Sequence, residues 1–296
     1  MKILIFGGAG FLGSYVADAL TEAGHDVRIF DLHRSEYLKP GQEMIEGDIT
    51  DQAAVEDAAI GCDVVYNFSA VADIDVAKSK PIEVVKVNIL GNTYALEAAR
   101  KAGAKRFVYA SSIYAYSQVG AFYSDSKLAS EKIVETYQRQ FGLPFTILRY
   151  GSLYGLARSA HLSGVNKLIN QAVKEKKISY QGSGEEMREY IHVKDAAQLS
   201  VTILDPEFEN QHILITGHQA YKSRDLLVMI KEMLNDDVEI ELLNQQNPEH
   251  YRMTGYNFQP RLARKLIPNL SIDIGQGLLD LVTEAHHRFH PEGYDE

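Results

Sequence analysis

Short, nearly continuous apolar runs alternate with longer segments of helical period over the first two-thirds of the chain. The runs Lys2–Phe6, Asp26–Asp31, Glu43–Gly47, Val64–Phe68, Arg106–Ala110 and Phe145–Arg149 predict strands. They are rich in Ile, Val, Phe and Tyr and apolar at almost every position, the pattern of a parallel sheet buried on both faces. Between them, Phe11–Ala23, Gln52–Ala59, Pro81–Ala102 and Tyr123–Phe141 predict helices. Asp51 and Pro81 suit helix starts, and Gly24, Gly61, Gly103 and Gly142 suit helix ends. The alternation predicts an α/β fold with a doubly wound parallel sheet.

Beyond Gly155 the rhythm changes. Leu162–Lys176, Val193–Leu204, Ser223–Leu234 and Gly275–Phe289 predict helices, and Lys177–Tyr180, His212–Thr216 and Val238–Leu243 predict strands. Neither a repeat nor a low-complexity linker separates this part from the first. The second lobe is therefore expected to be smaller, α+β, and interleaved with the sheet.

The chain has 296 residues, enough for a large core without disulfide staples. Its formal net charge of −10 disfavours a nucleic-acid or anionic-membrane partner, which would want a basic face. Cys62 is the single cysteine, so neither an intrachain disulfide nor a thiolate metal cluster is expected. Met1–Phe6 is too short for a signal segment, and no run approaches the ~18 apolar residues of a membrane span. These features predict a cytoplasmic protein without a membrane partner.

The first chemical signal is Gly7-Gly8-Ala9-Gly10-Phe11-Leu12-Gly13, set between the first strand and the first helix. Glycines there permit a tight turn and close approach of backbone to a pyrophosphate, and the helix start offers unpaired N–H groups. Asp31 ends the second strand, where a carboxylate bonds ribose hydroxyls and repels a 2′-phosphate, favouring NAD over NADP. Arg34 and His33 lie close enough to soften that preference. Asp48 and Ile49 end the third strand at the expected adenine position, although Asp48 also reads as a helix cap. Together these predict a Rossmann dinucleotide-binding domain over residues 1–155, rejoined by about 189–217. Residues 156–188 and 218–296 would form the substrate lobe.

The second signal is Tyr123-x-x-x-Lys127 at a helix start, with Ser112 at the carboxyl end of the fifth strand. Residues four apart share a helix face, so phenol and ammonium can reach one site. A neighbouring lysine charge and a nicotinamide cation would both favour phenolate, bringing Tyr123 from its ordinary ~10 toward neutrality. Tyr123 would then exchange the substrate hydroxyl proton during hydride transfer, with Ser112 holding the same oxygen.

With these residues in place, the chain resembles the extended short-chain dehydrogenase/reductases, within the NAD-dependent nucleotide-sugar epimerase/dehydratase family. The resemblance rests on GGAGFLG at 7–13, GDI at 47–49, VNILGN at 87–92, FVYASS at 107–112, YSDSK at 123–127, LRYGSLYG at 148–155 and GSGEEMREYIHVKDAA at 182–197. It implies that Asn88 supports the active-site backbone, that Lys127 also contacts the cofactor, and that Arg188 pairs with a substrate diphosphate. Arg252 is a second phosphate candidate, and Ser152 stands where relatives place an Asn against the substrate. His192 reads as structural. The resemblance also implies a homodimer built on the helices Pro81–Ala102 and Tyr123–Phe141.

The departures narrow the reaction. Ile113 and Tyr114 follow Ser112, where 4,6-dehydratases of the family carry an Asp-Glu pair. Cys62 precedes the fourth strand, away from the mouth, unlike the cysteine of the branch that makes fucose-type sugars. C4 epimerisation through a 4-keto sugar remains as the leading reading. A dehydratase drawing on Asp73, Asp125 or Tyr114, a keto-sugar reductase, and a non-catalytic dinucleotide-binding regulator are the alternatives. Only ten residues separate Ser112 from Tyr123, fewer than in relatives. Tyr114 and Tyr116 could flank the pocket or merely fill space, and His161 could face the sugar or pack in its loop. His286, His287 and His290 have helical spacing but lack acidic or thiol company, so no metal site is expected.

Overall fold

The computed structural model describes residues 1–117, 119–158, 163–243, 264–266 and 272–289. Eight parallel strands build the large sheet: β1 (Lys2–Phe6), β2 (Asp26–Asp31), β3 (Glu43–Glu46), β4 (Val64–Asn67), β5 (Arg106–Ser112), β6 (Phe145–Tyr150), β10 (Gln211–Ile215) and β13 (Arg264–Leu266). Their order is β13-β10-β6-β5-β4-β1-β2-β3, so the winding direction reverses between β1 and β4. A crevice opens at such a reversal, at the carboxyl ends of the strands.

Every residue of β4, β5 and β6 is buried, as the nearly continuous apolar runs predict. Alternation assigns successive side chains to opposite faces. Ile3 and Ile5 join the core under α1 (Phe11–Glu22) and α8 (Val193–Thr202). Leu4 and Phe6 join the core under α2 (Gln52–Ala59) and α5 (Asn92–Lys101). The Asp51 carboxylate caps α2, accepting from the Ala53 and Ala54 amides at 3.1 and 3.2 Å. Gly24 and Gly142 end their helices with φ of +83° and +69°, which costs glycine little.

Two smaller sheets lie apart from the large one. β7 (Ser152–Tyr154), β9 (Met187–His192) and β11 (Ala220–Lys222) form one, and β8 (Lys177–Tyr180) with β12 (Glu239–Leu242) the other. Around them, α7 (Gly164–Glu175), α9 (Ser223–Met233) and α10 (Ile274–Phe289) share a separate apolar core. The segment 264–266, assigned from sequence to the substrate lobe, pairs with β10 at the edge of the large sheet.

One predicted helix is divided. Within 81–102, α4 (Pro81–Val84) leads into a π-helical stretch, Val85–Gly91, before α5. The wider turn carries Asn88, whose partners are described below, and such turns cluster at functional sites. A further short helix, α3 (Ile74–Ser79), precedes it, and α6 (Ala121–Phe141) starts two residues earlier than predicted. No helix of the described residues is long and apolar enough to cross a membrane.

Candidate active site

The crevice is a cleft of about 1700 Å³, above the ~300–1,000 Å³ of most single-ligand sites. The glycine loop forms its floor. A Cβ on Gly7, at φ +76°, would lie 2.6 Å from the Ser69 amide nitrogen, and one on Gly13 would lie 2.2 Å from the Gly7 carbonyl oxygen. Both glycines are thus required for close packing of loop, helix and strand. No side chain caps α1, so its first-turn amides at Phe11, Leu12 and Gly13 lie at the cleft without one. The Asp31 carboxylate accepts the Ala9 amide at 3.0 Å, which fixes it at the loop. Asp48 and Ile49 also line the cleft, and Asp48 accepts the Thr50 amide at 2.8 Å. Neutral glycines, an uncapped helix start and an acid beyond them fit a dinucleotide.

Ser112, Tyr123 and Lys127 meet on the opposite wall, all buried and all lining the cleft. The Ser112 hydroxyl accepts the Tyr114 amide at 3.2 Å and stands near enough to the Tyr123 phenol to favour its ionised form. The Lys127 ammonium donates to the Ala110 carbonyl at 2.7 Å and lies 5.7 Å from the Tyr123 ring centre. Burial brings Lys127 down to about 7, opposed by the Glu131 carboxylate. Within the protein alone burial raises the Tyr123 phenol above its ordinary value, and Ser112 offsets only part of this; the expected fall draws on the nicotinamide charge as well.

The short connection before α6 is held by its own polar groups. Ser124 Oγ donates to the Tyr114 carbonyl at 2.6 Å, and Gly120 takes φ +105° beside the Tyr114 ring. Tyr114 packs edge-on to Tyr123, with centroids 6.4 Å apart. Tyr116 turns away and donates to Glu131 Oε2 at 3.0 Å. On the π-helical stretch, Asn88 accepts the Val71 amide at 2.7 Å and donates to Ser126 Oγ at 2.9 Å. It therefore ties the loop after β4 to the helix bearing Tyr123.

Of the other residues predicted for substrate or proton chemistry, Asp73 lines the cleft and the rest do not or lie outside the described residues. Ser152 on β7 and Arg188 on β9 belong to the three-stranded sheet and do not line this cleft. Arg252, His161 and His290 lie outside the described residues. His192 caps α8 through Nδ1, and burial lowers it to about 4. Asp73 caps α3 with one carboxylate oxygen and accepts Lys167 Nζ at 3.1 Å with the other. Cys62 is buried beside α2, away from the cleft. No cluster of metal-binding side chains occurs among the described residues.

The sequence reading missed two features. Glu131 continues the Tyr123, Lys127 spacing by one more helical turn, a signal that was available in the sequence. Arg158 lines the cleft from the segment after β7, with no sequence motif to mark it.

Residues 3–217 match the family profile described as the NAD dependent epimerase/dehydratase family. The chain is 29% identical over 248 residues to a UDP-N-acetyl-alpha-D-glucosaminuronate decarboxylase of Bacillus cytotoxicus, covering 75% of this chain and 76% of that protein. It is 26% identical over 271 residues to a putative UDP-glucose 4-epimerase of Methanocaldococcus jannaschii, covering 85% and 88%. It shares the fold of a Thermotoga maritima UDP-glucose 4-epimerase solved with UDP-glucose, at a TM-score of 0.84, 23% identity, and coverage of 98% and 99%.

Proposed function

The chain belongs to the NAD dependent epimerase/dehydratase family, and from that premise we propose that it is a nucleotide-sugar epimerase acting at C4. The observation that carries the reading is the buried Ser112–Tyr123–Lys127 group beside the glycine loop, with Ile113 and Tyr114 directly after Ser112. That group suits proton exchange at one hydroxyl. Asp73, one of the alternative bases in the sequence reading, is engaged as a helix cap and an ion pair.

The glycine loop, the first turn of α1, Asp31, Asp48, Ile49 and Lys127 would hold NAD, which supplies a hydride acceptor and donor when bound. Tyr123 takes the proton from the C4 hydroxyl and returns it to the C4 oxygen after the sugar has turned over. Lys127 stabilises the phenolate through its charge. Ser112 hydrogen-bonds the same substrate oxygen and keeps it against Tyr123. Arg188, with Ser152 and Arg252, remains the proposed partner for the substrate diphosphate from the second lobe.

We also place the protein in the cytoplasm as a homodimer. Support for the dimer comes from Val85, Leu90 and Phe141, which are 51%, 41% and 57% exposed on the two segments named for it.

The test is incubation of purified protein with a panel of nucleotide sugars and no added NAD, followed by mass-resolved chromatography. A new peak of unchanged mass supports epimerisation. Loss of water or of carbon dioxide would overturn it in favour of a dehydratase or a decarboxylase.

A further inference from the structure

Arg158 occupies a position that the proposed proton chemistry does not use. Its guanidinium donates to Asp18 Oδ2 at 2.6 Å and lies over the Tyr15 ring, 3.9 Å from the centroid. It is also 5.3 Å from the Tyr37 centroid. The Tyr15 hydroxyl donates to the Leu156 carbonyl at 3.1 Å, two residues earlier on the same segment. Asp18 is buried and also accepts Gln42 Nε2 at 3.2 Å, with Lys39 Nζ 3.5 Å away.

One carboxylate on α1 thus gathers two distant segments. One follows Asp31 and carries Tyr37, and the other leaves β7 and carries Arg158. Both line the cleft on the side of the glycine loop and Asp31, where the pyrophosphate and adenosine of a dinucleotide belong. Aromatic faces on the guanidinium and a charge-assisted bond at its edge define one geometry for the segment.

We infer that Arg158 is a cofactor-retaining residue: its clasp on Asp18, Tyr15 and Tyr37 holds the 155–158 segment across the adenosine side of the cleft and slows the release of NAD. The inference deepens the epimerase reading, because an enzyme that returns its hydride within each turnover works with a dinucleotide that stays bound.

The experiment loads the protein with isotopically labelled NAD, removes the excess, and follows exchange against unlabelled NAD. Arg158→Ala should release label on the order of tenfold faster, the equivalent of about 1.4 kcal/mol. Asp18→Asn, which loosens both segments, should release it at least as fast. Thermal melting of the same samples shows whether each variant is folded, and Arg158→Lys, which keeps the charge but not the planar stack, should lie between. Turnover of the sugar panel by the same wild-type sample tests the epimerase reading separately, so a failed epimerase reading stays distinguishable from a failed clasp. Wild-type exchange rates in folded Arg158→Ala and Asp18→Asn, or a wild-type protein that loses NAD as fast as they do, would overturn the inference.

Discussion

Glu131 and Arg149 face each other through two hydrogen bonds, Nε to Oε1 at 2.9 Å and Nη2 to Oε2 at 2.8 Å, with side chains 0% and 5% exposed. The pair lies directly behind the proposed catalytic group. Ser111 Oγ donates to Glu131 Oε1 at 2.5 Å, and Lys127 stands one helical turn away. One carboxylate therefore links the end of β5 to α6 and offsets part of the cost of burying the lysine charge. Breaking a buried pair strands the remaining charge, so Glu131→Gln should lose about 3–5 kcal/mol of stability. Replacing both partners with apolar residues should cost much less. Urea unfolding of the three proteins decides this, and a loss below about 1 kcal/mol for Glu131→Gln would refute it.

The glycine loop separates two kinds of glycine. Gly13→Ala places a methyl 2.2 Å from the Gly7 carbonyl oxygen, against backbone that cannot move aside cheaply. Overpacking of this kind costs about 1–3 kcal/mol and should lower the melting temperature without any ligand. At Gly10 a methyl meets only the Gly7 oxygen, at 3.2 Å, and the backbone φ of −71° suits alanine. Gly10→Ala should melt close to wild type yet bind NAD at least about tenfold more weakly, because the methyl occupies space at the helix start. Unchanged NAD affinity in a calorimetric titration would remove Gly10 from the proposed site.

The sheet was legible because a strand buried on both faces must be apolar at most positions, and β4, β5 and β6 are buried throughout with few polar interruptions, such as Asn67, Thr146 and Arg149. The glycine loop and Tyr123-x-x-x-Lys127 were legible because each needs particular residues at fixed spacing. β9 was not, since Arg188 and Glu189 interrupt its apolar pattern, and β7 and β11 span only three residues each. The π-helical stretch was hidden because Val85–Gly91 has ordinary helical composition, and the wider turn follows from the long-range bonds of Asn88. Arg158 was hidden for the same reason: its partners lie 121 to 143 positions away in sequence. In the protein alone burial outweighs the influence of Ser112 on the Tyr123 phenol, a balance that the residue spacing by itself does not reveal.

His192 makes a pH-dependence that is independent of catalysis. The ring caps α8 as an acceptor and packs edge-on to Tyr154, with centroids 5.2 Å apart. Burial, reinforced by the Lys194 charge, lowers its folded value to about 4, against ~6.5 when unfolded. Between those values the unfolded chain holds a proton that the folded protein lacks, so stability falls as pH drops through the window. The loss levels off below the folded value. Between pH 7 and pH 5 this amounts to about 2 kcal/mol. His192→Asn keeps a competent cap and removes the titration, so its unfolding free energy should depend less on pH over that range. An identical slope in both proteins would assign the acid sensitivity to other groups.

Tyr123→Phe tests the proton transfer itself. Phenylalanine keeps the ring beside Tyr114 and loses only the hydroxyl that meets Ser112, so the fold should persist. Turnover on a nucleotide sugar identified from the panel should fall by at least the ~10²–10⁴ that a positioned acid/base supplies. Lys127→Met separates the charge from the phenol. Without the ammonium, only Ser112 opposes the effect of burial on Tyr123, and forming phenolate requires higher pH. The rising limb of the turnover profile should then shift to more alkaline pH in Lys127→Met, while Tyr123→Phe should lose that limb. Activity within about tenfold of wild type in folded Tyr123→Phe would place the acid/base elsewhere in the cleft, since a tenfold change is only about 1.4 kcal/mol of barrier.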